Sequence, residues 1–408
     1  MEKQDLRAGI TVWESRSGPS LQAKPLVENI VTDVLIVGAG VSGALVAEAV
    51  TSAGFSVAIL DRRGAAMGST AASTSLLLFE IDTPLIKLSK KIPPLLAARA
   101  WRRSCASMEH LIQKVRTLDI KCDFILRDAL YLAGPELSGK GLQAEAKARR
   151  KIGLPSTYLD GATLRERYGI EREAAILSGN SAEADPVQIA TGFLTQAVAR
   201  GAVLYAPEEL TNILPNGPGV VAHTASRYRI EARHVIFTTG YEVPGFIPKD
   251  GHKIISTWAI VTPPQHDNLW HSHCLIWEAA DPYIYLRTMP DGRIMLGGED
   301  EESSDAERRN ALIPAKARAL QSKLRELFPE VDPEAEFAWA GAFGKSPTGL
   351  PTIGPVPGWP SCYAVLGFGG NGMTYAQIAA EMAVSWLSGK NDTDADLFAF
   401  GAVNSTAE

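Results

Sequence analysis

The chain has 408 residues, of which 46% are hydrophobic and 21% charged, and a formal net charge of -6. That length suits two domains, and that composition supports a sizeable core and excludes global disorder. The acidic balance gives no electrostatic ground for a nucleic-acid partner or for an anionic membrane surface.

Residues 1–29 are polar and contain proline, and read as an extended arm anchored by Trp13. No apolar run suited to a signal peptide precedes residue 30. The most apolar stretch, Val34 to Val50, is interrupted by Gly38, Gly40, Gly43 and Glu48, so no membrane span is expected. Cys105, Cys122, Cys274 and Cys362 are scattered, which suits a reducing compartment and a cytoplasmic location.

Asp33 to Val37 is a short apolar run that ends in glycines, the pattern of a buried parallel strand. Ser42 to Ala53 reads as a helix with Gly54 as its left-handed stop. Phe55 to Leu60 is the next strand and ends at Asp61. Together these make a βαβ unit. Its turn, Gly38-Ala39-Gly40-Val41-Ser42-Gly43, carries the chemistry of dinucleotide binding. A pyrophosphate is anionic and needs backbone N–H donors and a positive helix end at close range. Gly38 permits the tight turn, Gly40 lets the backbone approach the phosphate, and Gly43 lets the helix pack on the strand. Asp61 follows about 20 residues later, where a carboxylate can accept from ribose hydroxyls. Strand, turn, helix and acid agree, which outweighs a glycine-rich connector with no ligand.

The next run, Gly68-Ser69-Thr70-Ala71-Ala72-Ser73-Thr74-Ser75, is small and rich in hydroxyls. It can wrap a phosphate and pass along a flat ring, although composition alone also allows a surface loop. Residues 84–150 read as amphipathic helix, and Val187 to Arg200 as another helix. Val203 to Phe237 reads as short strands, the last running into Thr238-Thr239-Gly240. Lys253 to Gly298 reads as antiparallel strands, with a hairpin at Pro290-Asp291-Gly292. Residues 303–328 read as one or two charged surface helices. The chain closes with a strand (Cys362 to Leu366), a glycine loop (Gly367 to Gly372) and a helix from Thr374. That loop brings backbone N–H groups and a helix N-terminus together, a combination that stabilises negative charge on a reduced ring system.

These pieces, together with Asp291 to Asp300, Trp339 to Gly344 and Gly349 to Gly354, make the chain resemble the D-amino-acid oxidase / glycine oxidase / sarcosine oxidase superfamily of FAD enzymes. It is most similar to the gamma-glutamylputrescine oxidase-like branch. The resemblance implies an α/β fold: a Rossmann-type FAD-binding domain with a second, discontinuous α+β domain built on an antiparallel sheet. The expected FAD domain takes residues 30–95, 185–245 and 345–408, and the substrate domain residues 96–184 and 246–344. FAD contacts are expected from the turn 38–43, from Asp61, Arg62 and Arg63, and from Gly68, Ser69, Thr70, Ala72, Ser73 and Thr74. Further contacts are expected from Leu210, Thr239, Gly240 and Gly344, and from Gly369, Gly370, Asn371, Gly372, Met373 and Thr374. Some relatives attach the flavin through a cysteine in the stretch matching 341–354; none stands there, so noncovalent FAD is expected.

On the substrate side the resemblance places Arg287 where amino-acid oxidases fork a guanidinium onto the substrate carboxylate. An ion pair with a neighbouring acid is the equal alternative. Tyr285, two residues earlier on the same face, lines the same pocket or packs. Lys345-Ser346-Pro347-Thr348 departs from the Thr-x-Asp of close relatives, which puts a positive charge or a proline at the pocket. His271-Ser272-His273-Cys274 lacks a second ligand group, so no metal is expected. The implied reaction is oxidation of the C–N bond of a small amine or amino acid by hydride transfer, with O2 or an electron carrier as acceptor. A flavin dehydrogenase of a non-amine and a non-catalytic flavin-binding subunit are the alternatives.

Overall fold

The computed structural model describes residues 3–16, 21–249, 251–265, 268–270 and 272–402. His271, at the head of the His-Ser-His-Cys cluster, lies outside them. Two sheets organise the chain. The smaller is built on Ile30–Val37, whose Val34, Leu35 and Ile36 have no exposed surface. A strand covered on both faces needs an unbroken apolar run, and this one has it. It pairs in parallel with Val57–Leu60 on one side and Arg229–Phe237 on the other. Val203–Tyr205 and Trp359–Leu366 extend the parallel order outward, and Thr352–Val356 folds back antiparallel at one edge.

Helices Val41–Ser52, Pro186–Ala199 and Gly372–Leu387 bury Leu45, Val46, Phe193, Tyr375 and Ile378 in one core against a face of this sheet. The opposite face carries Leu35, Val37, Ala58 and Leu60 and is covered by the antiparallel pair Leu210–Asn216 and Gly219–Thr224.

The larger sheet has ten strands. Lys253–Val261, Ile294–Glu301 and Ile284–Thr288 are antiparallel neighbours near its centre, and Phe337–Lys345 pairs with Lys253–Val261. The hairpin read at Pro290-Asp291-Gly292 is present, with Arg287 opposite Met295. Leu320 and Leu324 of helix Ile313–Leu327 seal one face of the sheet against Trp258, Leu286 and Leu296.

Two local expectations are corrected. Residues 84–150 do not stay helical: after helices Leu85–Lys91 and Pro94–Thr117 comes the strand Ile125–Leu132. Leu126 and Leu130 have helical spacing, but Ala129 to Leu132 is apolar throughout, and it is buried between Leu275–Glu278 and Ala174–Glu183. The N-terminal arm is extended and anchored: Arg7–Ile10 forms the edge strand beside Phe337–Lys345, and Trp13 is buried. Helix Pro94–Thr117, which a boundary at residue 95 places with the larger sheet, buries Trp101, Met108 and Leu111 in the core of the smaller one.

Candidate functional site

The turn after Ile30–Val37 is built by close approach. Gly38 sits at φ +113°, and a Cβ there would lie 2.9 Å from the backbone carbon of Thr238. A Cβ on Gly43 would overlap the Gly38 carbonyl oxygen, so the helix can rest on the turn only without one. Helix Val41–Ser52 then starts at Gly40, which has no side chain to cap it; Thr70 Oγ1 accepts from Val41 N at 3.0 Å, and the rest of the positive helix end is left for a ligand.

Asp61 ties this geometry together. One carboxylate oxygen accepts from Ala39 N at 2.7 Å, and the other from Arg63 N at 2.7 Å and Gly64 N at 2.8 Å. Arg63 forks onto Glu242 at 2.6 and 2.7 Å and also donates to Gln4 O. Burial alone would raise the Glu242 carboxyl, but the bonds from Arg63 and Gln4 hold it below its ordinary value.

From this turn a cavity with about 1780 Å³ of empty space runs between the two sheets. Several donors that line it are buried with no hydrogen bond, among them Ser69 Oγ, Thr239 Oγ1 and both terminal nitrogens of Arg62, although Glu209 lies 3.4 Å from that guanidinium. Unsatisfied buried donors are costly, so these positions fit a ligand rich in acceptors.

Most of the residues anticipated as cofactor contacts line this cavity. Gly38, Gly40, Val41 and Ser42 do so from the turn, and Asp61, Arg62 and Arg63 from the end of the second strand. Gly68, Ser69 and Thr70 line it with Ala72, Ser73 and Thr74. Leu210, Thr239 and Gly240 form part of the wall, as do Gly369 to Met373 of the C-terminal loop. Ala39, Gly43, Gly344 and Thr374 do not reach it. Ala39 gives its N–H to Asp61, and Gly344 leaves room for the Tyr241 ring, which a Cβ there would meet at 2.8 Å. The Thr374 hydroxyl donates to Leu78 O at 2.7 Å.

Arg287 is also elsewhere. It is 1% exposed; Nε donates to Thr74 O at 2.8 Å and Nη2 to Ala184 O at 3.1 Å, and Glu183 lies 3.7 Å from Nη1. Burial pulls its guanidinium down to about 10, which leaves it charged at neutral pH. Its fork is engaged inside the protein, as an ion-pair partner and a brace for the 69–75 loop. The same loop is held by Trp13 Nε1 on Ser73 O and Trp339 Nε1 on Ala72 O, so three consecutive carbonyls have side-chain donors. Lys345, the departure from the expected motif, points to Glu302 and Asp281 at 3.2 and 3.7 Å and does not line the cavity.

Tyr285 does line it, with Tyr283 5.5 Å away between ring centroids. Sequence reasoning missed Glu80, Asp82, Tyr241 and Trp277 on the same wall. Asp82 accepts from Gly370 N at 2.8 Å, and burial pushes its carboxyl up to about 6. Asn371 Nδ2 donates to Glu80 O at 2.7 Å, so the C-terminal glycine loop is bolted to the 78–82 segment on both sides of Glu80 and Asp82. Behind them Arg149, with no exposed surface, bonds Glu80 at 2.5 Å and Glu145 at 2.7 Å, and lies 4.4 Å over the Trp101 ring. Two acids inside the apolar run Leu76 to Ile81-Asp82 were the signal available.

Residues 33–386 match the family described as FAD dependent oxidoreductase. Among curated proteins the chain is similar to a putative Rieske 2Fe-2S iron-sulfur protein of Bacillus subtilis, 23% identical over 55% of this chain but 43% of that one, less than half its length. It is also similar to gamma-glutamylputrescine oxidoreductase of Escherichia coli, 22% identical over 89% of this chain and 85% of that one. Glycine oxidase from Geobacillus kaustophilus has the same fold: TM-score 0.76 at 18% identity, covering 91% of this chain and 99% of that one.

Proposed function

The chain belongs to the FAD dependent oxidoreductase family and takes FAD as its cofactor, and we propose that it oxidises the C–N bond of an amine or amino acid. FAD, when bound, supplies the acceptor for a hydride from the carbon beside the nitrogen. The resulting imine hydrolyses in water, and O2 or an electron carrier removes the electrons.

The chain's own residues bind and orient. The Gly38–Gly40 turn and the helix start hold the pyrophosphate, Asp61 takes the ribose with its one remaining lone pair, and Ser69, Thr239 and Arg62 satisfy further acceptors. Tyr283, Tyr285 and Trp277 form the aromatic part of the substrate wall, which Glu80 and Asp82 also line. The division into a cofactor domain and a substrate domain belongs to this reading, with the cavity at their junction.

The observation that carries it is the continuity of that cavity from the glycine turn to the wall of Asp82, Tyr283 and Tyr285. FAD is held noncovalently, since none of Cys105, Cys122, Cys274 and Cys362 lines the cavity. These four cysteines, buried and unbridged, suit a reducing compartment such as the cytoplasm. The test is to purify the yellow protein, precipitate it with acid, and find FAD in the supernatant. An anaerobic screen of amines and amino acids should then bleach the flavin. Colour retained in the pellet contradicts noncovalent binding, and a flavin that no member reduces refutes amine oxidation.

A further inference from the structure

The substrate end of the cavity presents an acid where an amino-acid oxidase needs a base. Asp82, a half-buried residue, lines it. One oxygen is held by Gly370 N, and among the described residues no cation offsets the charge: burial and that one N–H account for the shift of its carboxyl. The arginines that line the cavity are Arg62 and Arg63, which lie beside Asp61 and face Glu209 and Glu242. Arg287 is spent on backbone carbonyls and Glu183.

The rings of Tyr283 and Tyr285, which feel the charge of Asp82, line the same cavity, as does Trp277, stacked on Tyr131 at 3.8 Å between centroids. Glu80, 1% exposed, also lines this wall and keeps Oε2 without a hydrogen bond. Aromatic faces with an unpaired carboxylate attract an ammonium and repel a carboxylate.

Resting on the amine-oxidation reading above, we infer that Asp82 recognises the substrate's ammonium group and takes the one proton that nitrogen must lose before the hydride leaves its carbon, and that the substrate is an alkylamine or diamine with no carboxylate on the carbon that is oxidised. Asp82 acts as a specificity residue. A substrate carboxylate in this space would meet a fixed negative charge with no guanidinium to receive it. A second ammonium on a diamine would meet the same aromatic wall.

The test uses the purified holoenzyme and two isosteric probes. tert-Butylammonium has no hydrogen on the carbon beside nitrogen, so it binds without being oxidised, and pivalate is its carboxylate counterpart. Each is titrated while the flavin absorption spectrum is followed, in wild type and in Asp82→Asn, which keeps an acceptor for Gly370 N. The expected result is that wild type binds the cation and not the anion, and that Asp82→Asn weakens the cation about 10- to 100-fold. Flavin content and the melting temperature of the variant report whether the site is intact.

Pivalate binding as tightly as tert-butylammonium overturns the inference from wild type alone. An unchanged cation affinity in flavin-replete Asp82→Asn overturns it as well. Cation binding that depends on Asp82, with no amine reducing the flavin, would sink amine oxidation and leave the recognition standing. In the anaerobic screen, butylamine or 1,4-diaminobutane should bleach the flavin faster than glycine, sarcosine or proline. The reverse order refutes the substrate class.

Discussion

Replacing Arg287 separates a brace from a substrate clamp. Arg287→Met removes two charge-assisted bonds to the Thr74 and Ala184 carbonyls, at 2.8 and 3.1 Å. It also removes a cation 3.7 Å from Glu183, a carboxylate with no exposed surface. Removing one partner of a buried pair costs about 3–5 kcal/mol, because the remaining charge is left without compensation. Glu183 keeps Arg127 at 3.1 Å, which offsets part of that cost, while the two carbonyls left open add about 1–3 kcal/mol each if water does not reach them. A loss near 3–5 kcal/mol is therefore expected, measured by urea unfolding followed by circular dichroism. Arg287→Lys should recover only part of it, because an ammonium lacks the planar fork that reaches both carbonyls. FAD affinity should fall in both variants, since Thr74 belongs to the loop that lines the cavity. KM should change to a similar degree for amine and amino-acid substrates. A variant with wild-type stability and a KM raised only for carboxylate-bearing substrates would refute the reasoning and return Arg287 to the substrate.

Asp61→Ala should weaken FAD by about 1.5–3 kcal/mol for each charge-assisted bond lost to ribose, read by fluorescence titration of the apoprotein. It should also lower stability measurably, because Ala39, Arg63 and Gly64 lose their acceptor; an unchanged melting temperature would show that water replaces the carboxylate. Arg149→Met should cost about 3–5 kcal/mol by leaving Glu80 and Glu145 buried without their cation. Exchange of all three for apolar residues of similar volume should restore most of that loss, and failure to do so would mean that the network holds the 80–86 segment in place.

The βαβ unit was legible because its signals are local and chemically demanding. A glycine is required where the backbone of Thr238 closes on Gly38, an acid where three N–H groups converge, and an apolar run where a strand is covered on both faces. The strand Ile125–Leu132 was hidden because its partners lie far away in sequence, while its leucines keep helical spacing. Asp82 was hidden for a related reason. It becomes a site residue only when Gly370, 288 residues further along, brings the C-terminal loop onto it. Arg287 misled because residue type and strand position are equally compatible with facing a cavity and with facing a carbonyl. Only the path of the 69–75 loop beneath it decides.

That loop has a bearing on how the protein is made. Its carbonyls at Ala72, Ser73 and Thr74 wait for donors 267 residues ahead at Trp339, 60 behind at Trp13 and 213 ahead at Arg287. During synthesis the βαβ unit emerges early, but this wall of the cavity cannot set until the strand Phe337–Lys345 has been translated and Arg7–Ile10 has docked along it. Contacts so distant in sequence form late, after the entropy of closing long loops has been met. Closure of the cavity is thus a late event in the maturation of this chain, and a nascent chain stalled before Trp339 would carry the glycine turn without the contacts that fix the loop beside it.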